Sequence, residues 1–70
     1  MTIVERLKRI SKNDAAREVF EDIANIEIII KDICNIKHGE YTMDDIEDWF
    51  YEQTGYTLDE AMSRAEKHIA

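Results

Sequence analysis

The chain has 70 residues, a net charge of −7 and 44% hydrophobic residues, which predicts one small folded domain over residues 1–70 and argues against a disordered chain. The single cysteine, Cys34, excludes an intramolecular disulfide, and no apolar run approaches the roughly 18 residues of a membrane span. We therefore expect a cytoplasmic protein that makes no membrane contact.

The first predicted helix covers residues 2–11. Thr2 and Glu5 have the spacing of a capping box, and the apolar residues that follow recur at helical intervals. Residues 1–12 carry a net charge of +3, so any contact with phosphate would involve this helix.

The second predicted helix is long and central, covering residues 14–37. Apolar residues repeat at spacings of three and four from Ala16 to Cys34, and Gly39 follows as a helix-end signal. The β-branched stretch 26–30 would also suit a strand, but alternation with period two fails outside it. The sequence therefore predicts one long helix on which the rest of the domain is organised.

This helix has more isoleucine than one buried stripe needs. Ile29 and Ile36 are seven residues apart and fall at the edge of the stripe. Unless another helix covers them, they form an exposed apolar strip suited to a homodimer, which would also compensate for a small core.

Two further helices are predicted at residues 43–54 and 58–68. Each follows a repeated pattern of Tyr, Thr, an apolar residue and two acids, which begins at Tyr41 and again at Tyr56. The threonine caps the helix, and the acids complement the positive end of the helix dipole. The predicted fold class is thus all-α, a small three- to four-helix domain.

The acidic segment, residues 38–63, contains no Lys or Arg in 26 residues. It contributes −8 to the net charge, so the rest of the chain sums to +1, and it holds five of the six aromatic residues. This charge disfavours direct nucleic-acid binding and favours a basic partner. The eight carboxylates of the segment are Glu40, Asp44, Asp45, Glu47, Asp48, Glu52, Asp59 and Glu60.

Three of these acids, Asp44, Asp48 and Glu52, are four residues apart and form what we term the acidic row. Like charges at this spacing destabilise an isolated helix by about 0.2–0.5 kcal/mol per pair. Two explanations stay open: a solvated face that maintains solubility, or a surface that binds a Lys- and Arg-rich protein.

Trp49 and Tyr51 beside these acids have the composition of an interface hot spot, although rings of this kind also cover domain edges. The predicted partner-binding residues are Asp44, Glu47, Asp48, Trp49, Tyr51, Glu52, Asp59 and Glu60.

No catalytic, metal or cofactor site is predicted. His38 and His68 are far apart in sequence, Cys34 has no second cysteine, and there is no glycine-rich phosphate loop or activated nucleophile motif. We therefore expect no enzyme activity and no cofactor. A DNA-binding helix-turn-helix is disfavoured because the third helix is acidic.

A very short, proline-free, acidic helical chain with one cysteine is similar in type to small phage or mobile-element proteins that block nucleic-acid enzymes of the host, such as CRISPR effectors and restriction systems. The resemblance implies an anti-CRISPR or anti-restriction inhibitor that acts as a DNA mimic on a basic surface. The alternative is a self-associating helical adaptor or structural module with no inhibitory role. No motif assigns the chain to a particular family.

Overall fold

The computed structural model describes residues 1–39 and 41–69, with Lys37 described in its backbone only, and this part of the chain is helical without strands. Its elements are α1 (Ile3–Lys12), α2 (Asp14–Glu21), α3 (Ile26–Asn35), a 3₁₀ turn (Ile36–His38), α4 (Met43–Thr54) and α5 (Leu58–Glu66). The all-α prediction is confirmed. Glu40, a member of the acidic segment, and Ala70, the end of the predicted domain, lie outside the described residues.

Three of the predicted helices occur at or near their predicted positions. α4 has the predicted bounds, α1 is displaced by one residue, and α5 ends two residues before the predicted 68. Thr2 and Thr42 form capping boxes with the acids three residues later, and the Thr57 hydroxyl accepts the backbone N–H of Glu60. These local signals explain why the helix starts could be predicted.

The predicted long helix over residues 14–37 is wrong, and the described part of the chain has five α-helices rather than three or four. α2 ends at Glu21, where the chain turns, and the backbone N–H groups of Ile23 and Ala24 both donate to the carbonyl of Phe20. The side chain of Asn25 then accepts the backbone N–H groups of Glu27 and Ile28 and caps the start of α3.

This turn allows α3 to pack against α1, α2 and α4. Ile26, the first residue of α3, is fully buried there. A continuous helix over 24 residues would be about 36 Å long and could not fold back in this way. The break therefore divides the predicted long helix into two short helices, α2 and α3, that pack against each other and against the rest of the domain.

All five helices contribute side chains to the core. Phe20 of α2 is fully buried, and its ring centroid lies 6.1 Å from that of Phe50 in α4. The buried apolar residues are Leu7, Ile10, Ala16, Phe20, Ile26, Ile46, Phe50, Leu58, Ala61, Met62 and Ala65. Among the described residues, no helix has both the length and the apolar character needed to cross a bilayer.

Candidate partner-binding surface

α4 buries one face and presents carboxylates on the other. Ile46 and Phe50 point into the core, while Asp44, Asp48 and Glu52 are exposed. Residues 43–54 contain five acids and no Lys, Arg or His. At about 100° per residue, the acidic row therefore lies on the outward side of the helix.

Trp49 and Tyr51 border the acidic row from opposite sides. Their exposed fractions are 49% and 57%, and they are separated by about 160° around the helix. Tyr51 lies with Glu47, Asp48 and Glu52 around a shallow acidic depression on the side of α5. The two rings therefore do not form one cluster but frame the carboxylates.

The indole of Trp49 is held on the side of α3. Its ring meets the ring of Tyr41 edge-on, with centroids 5.3 Å apart. The Tyr41 hydroxyl in turn donates to the backbone carbonyl of Asp32 in α3 at 3.0 Å. Tyr41 thus connects α3 with α4, and it limits the orientations available to the half-exposed indole of Trp49.

Five of the ten described acids outside α4 are paired with arginine. Arg6, Arg17 and Arg64 form every ion pair found among the side chains that the structure describes. None of these pairs includes a residue of α4. The acids involved are Glu21, Glu27, Asp59, Glu60 and Glu66.

Arg6 makes the most extensive of these contacts and joins α1 to α5. Its Nε donates to Glu66 at 3.1 Å, one terminal nitrogen donates to the second oxygen of the same carboxylate, and the other donates to Asp59 at 3.2 Å. The hydrogen bonds from Arg6 lower the pKa of Glu66 below its usual range, against the opposing effect of burial.

The predicted partner-binding acids thus divide into two groups. Asp59 is paired with Arg6, and Glu60 lies 3.4 Å from Arg64, so both have partners within the fold. The remaining acids are Asp44, Glu47, Asp48 and Glu52, and the described part of the chain gives them no ion-pair partner.

The carboxylate of Asp45 also has a structural role, because it accepts the backbone N–H of Thr42 at 2.9 Å and completes the capping box. Asp44 lies in the same first turn and complements the helix dipole. Local structure therefore explains the acids at the start of α4 but not Glu47, Asp48 and Glu52.

An apolar groove of about 250 Å³ runs between α3 and α4. Ile28 lies at its rim and is 55% exposed, with Trp49 on the facing helix. The lining residues are Ala24, Asn25, Ile28, Ile29, Asp32, Ile46, Trp49, Phe50, Gln53 and Thr54. The sequence did not reveal this groove, because it depends on the break that places α3 beside α4.

The residues predicted for self-association are less exposed than an apolar strip requires. Ile29 packs against the core, and Ile36 is partly buried in the 3₁₀ turn. The exposed isoleucine of α3 is Ile28, two residues after the buried Ile26 and therefore nearly opposite it around the helix. Self-association through Ile29 and Ile36 stays a prediction.

Cys34 is exposed on α3 as a free thiol, and His38 is exposed at the end of the 3₁₀ turn. Within the described residues, no three His, Cys, Asp or Glu side chains are grouped so as to hold a metal ion.

No protein-family model, curated protein or solved structure matches the chain.

Proposed function

We propose that this chain binds a basic surface of a partner protein through the outward face of α4. It acts there as an inhibitor or regulator, by occupying a surface that the partner uses for nucleic acid. The observation that carries the proposal is the distribution of arginine: the arginines neutralise acids of α2, α3 and α5, but form no ion pair with an acid of α4.

The uncompensated charge has an energetic cost in the free chain. Asp44, Asp48 and Glu52 repel one another at intervals of four residues, and Glu52 also lies in the last turn, near the negative end of the helix dipole. A helix optimised for stability alone would carry a lysine in that turn. A basic partner surface would turn the repulsion into attraction and would accelerate encounter.

The flanking rings add short-range recognition to this charge. An arginine placed over Trp49 or Tyr51 can stack on the ring while its guanidinium reaches a carboxylate of the acidic row. Exposed Trp and Tyr are the residues most enriched among interface hot spots. The acidic row supplies long-range attraction, and the two rings supply the contacts that distinguish one basic surface from another.

The proposal specifies a binding protein and not an enzyme, and it excludes direct binding to nucleic acid, which the acidic face would repel. A cytoplasmic location suits the free thiol of Cys34. The resemblance in type to anti-CRISPR and anti-restriction proteins makes a nucleic-acid enzyme the first class of partner to examine.

Quantitative co-purification with a matched control tests this function. The test variant neutralises the acidic row with Asp44→Asn, Asp48→Asn and Glu52→Gln. The control removes three exposed acids of α2 and its C-terminal cap that form no ion pair in the described part of the chain, with Asp14→Asn, Glu18→Gln and Asp22→Asn. We expect the wild type and the control to recover the same partners and the test variant to lose them. Recovery of the same partners by all three would contradict the proposal.

A competition experiment separates an inhibitor from an adaptor. The recovered partner is loaded with labelled nucleic acid and titrated with the wild-type chain. Displacement of the nucleic acid supports occlusion of its binding surface. If the nucleic acid stays bound at a saturating concentration of the wild-type chain, the inhibitor function is wrong and the adaptor alternative is retained.

A further inference from the structure

We propose that the apolar groove between α3 and α4 receives a large apolar side chain from a basic amphipathic helix of the partner. The helix would lie across the groove, with its Lys and Arg side chains over the carboxylates of α4 and the end of α3. This inference rests on the proposed function and specifies the chemistry of the partner segment.

The size and walls of the groove suit a side chain. Its volume of about 250 Å³ is below the range of roughly 300–1,000 Å³ that is usual for small-molecule sites. The walls are built mainly from Ile28, Ile29, Ile46, Trp49 and Phe50. Ile28 and Trp49 form the two rims and are both about half exposed, so an inserted side chain would cover apolar surface that water now contacts.

The charges around the groove select a basic occupant. Asp32 lines one edge, and Glu52, three residues after Trp49, is its neighbour on the surface of α4. Asp32 is the one charged side chain among the described residues that line the groove. Lys31 lies beside Ile28 on the surface of α3, just as Glu52 lies beside Trp49 on α4, but the acids of α4 outnumber this single lysine. A segment inserted here would meet carboxylates on both sides of its apolar contact.

A second copy of the chain fits these charges poorly. Each copy carries a net charge of −7, and a symmetric dimer through the groove would bring two acidic α4 helices together. An amphipathic helix in a groove between two helices is a common recognition arrangement, and a cationic helix satisfies both the apolar contact and the acidic rim.

Trp49 is the only tryptophan of the chain and lies at the rim, so its fluorescence reports on the groove. The full chain is titrated with a tryptophan-free helical peptide of about 15 residues, long enough to form a helix, with Leu on one face and Lys on the other. We expect a saturable blue shift of the Trp49 emission. A peptide with Ala in place of every Leu keeps the charge and should bind at least tenfold more weakly.

Ile28→Gln tests the groove from the side of the protein. Because Ile28 is largely exposed, the variant should retain the helical circular dichroism of the wild type, and it should bind the Leu and Lys peptide about tenfold more weakly. Cys34→Ser changes another exposed residue of α3, outside the groove, and should bind the peptide as the wild type does.

Three results would overturn the inference. The first is equal binding of the Ala and Leu peptides, and the second is unchanged peptide binding by Ile28→Gln. The third is a blue shift that depends on protein concentration without peptide and accompanies a dimer in sedimentation, because a second copy would then occupy the groove.

Co-purification distinguishes failure of this inference from failure of the proposed function. If Ile28→Gln recovers the partner and the neutralised acidic row does not, the groove assignment is wrong and the function stands. If the neutralised acidic row still recovers the partner, the function is wrong.

Discussion

Neutralising Glu52 should stabilise this protein. Glu52 is exposed in the last turn of α4, four residues after Asp48, and that turn contains no basic residue. Glutamine has nearly the same size and helix propensity, so Glu52→Gln changes mainly the charge. The substitution removes one like-charge pair and one unfavourable contact with the negative end of the helix.

The two contributions can be added from typical values. A like-charge pair four residues apart costs about 0.2–0.5 kcal/mol, and a charge opposed to the helix dipole costs about 0.3–1 kcal/mol. We therefore expect the free energy of unfolding to rise by about 1 kcal/mol at low salt. For a domain of this size that corresponds to an increase in Tm of about 4–8 °C.

Urea unfolding monitored by circular dichroism measures the change, with Glu60→Gln as the matched control. Glu60 lies in the first turn of α5, where a negative charge complements the dipole, and its carboxylate is 3.4 Å from Arg64. The same chemical substitution should there lower stability by about 0.5–1 kcal/mol. Both effects should shrink at 1 M salt, where the Debye length is about 3 Å.

The opposite signs make the prediction easy to refute. If Glu52→Gln is neutral or destabilising at low salt, the charge of α4 is compensated within the folded chain. α4 would then carry its carboxylates at no cost in stability, and the proposed function would lose this support.

Three further predictions concern the fold. Phe20→Ala deletes a fully buried ring and should cost about 3–5 kcal/mol, so circular dichroism at 25 °C should show a much reduced helical signal; an unfolding midpoint near that of the wild type would contradict this. Thr42→Ala removes the cap shared with Asp45 and should lower the free energy of unfolding by about 1 kcal/mol in urea, whereas no change would mean that the capping box contributes nothing. The hydrogen bonds from Arg6 lower the pKa of Glu66 in the folded chain. The stabilisation they provide is therefore complete at a pH above the pKa that Glu66 has in the unfolded chain, and it is lost as the pH falls through the lower pKa of the folded chain. Glu66→Gln should therefore lose less stability than the wild type when the pH is lowered from about 7 to 3, as measured by the midpoints of urea unfolding. Equal losses would refute a stabilising contact between Arg6 and the Glu66 carboxylate.

The bounds of α4 could be predicted because both of its ends are encoded locally. Thr42 and Asp45 form the capping box at its start, and Gly55 adopts a left-handed conformation at its end, with φ 77°. Neither signal depends on the rest of the fold, so the sequence alone was sufficient for this helix.

The break between α2 and α3 could not be predicted in the same way. Apolar residues continue at helical spacing through Phe20, Ile23 and Ile26, because both helices bury the same kind of stripe. The one local signal is Asn25, a preferred N-cap residue, within a pattern that otherwise resembles a continuous helix. Packing of α3 against α1 favours the turn, and that contact is distant in sequence.

The negative charge of the candidate site could be predicted from the sequence, but the ion pairs that its acids form could not. The acidic row follows directly from the sequence, whereas the pairing of Asp59 with Arg6 spans most of the chain and requires the fold. The groove likewise depends on how α3 and α4 meet. Of the eight predicted residues, Asp59 and Glu60 are paired within the fold, while Glu47, Asp48 and Glu52 have no such pair among the described side chains; Tyr51 lies among these three acids and Trp49 lies to one side of them.

Zero-length carbodiimide cross-linking tests the central claim most directly, since this reagent joins carboxylates to amines that are already in contact. The chain is cross-linked to its co-purified partner, and the linked peptides are identified by mass spectrometry. We predict that Asp48 and Glu52 of α4 join to lysines on the nucleic-acid-binding surface of the partner. Cross-links confined to acids of α1 or α2, with α4 unmodified, would contradict the account.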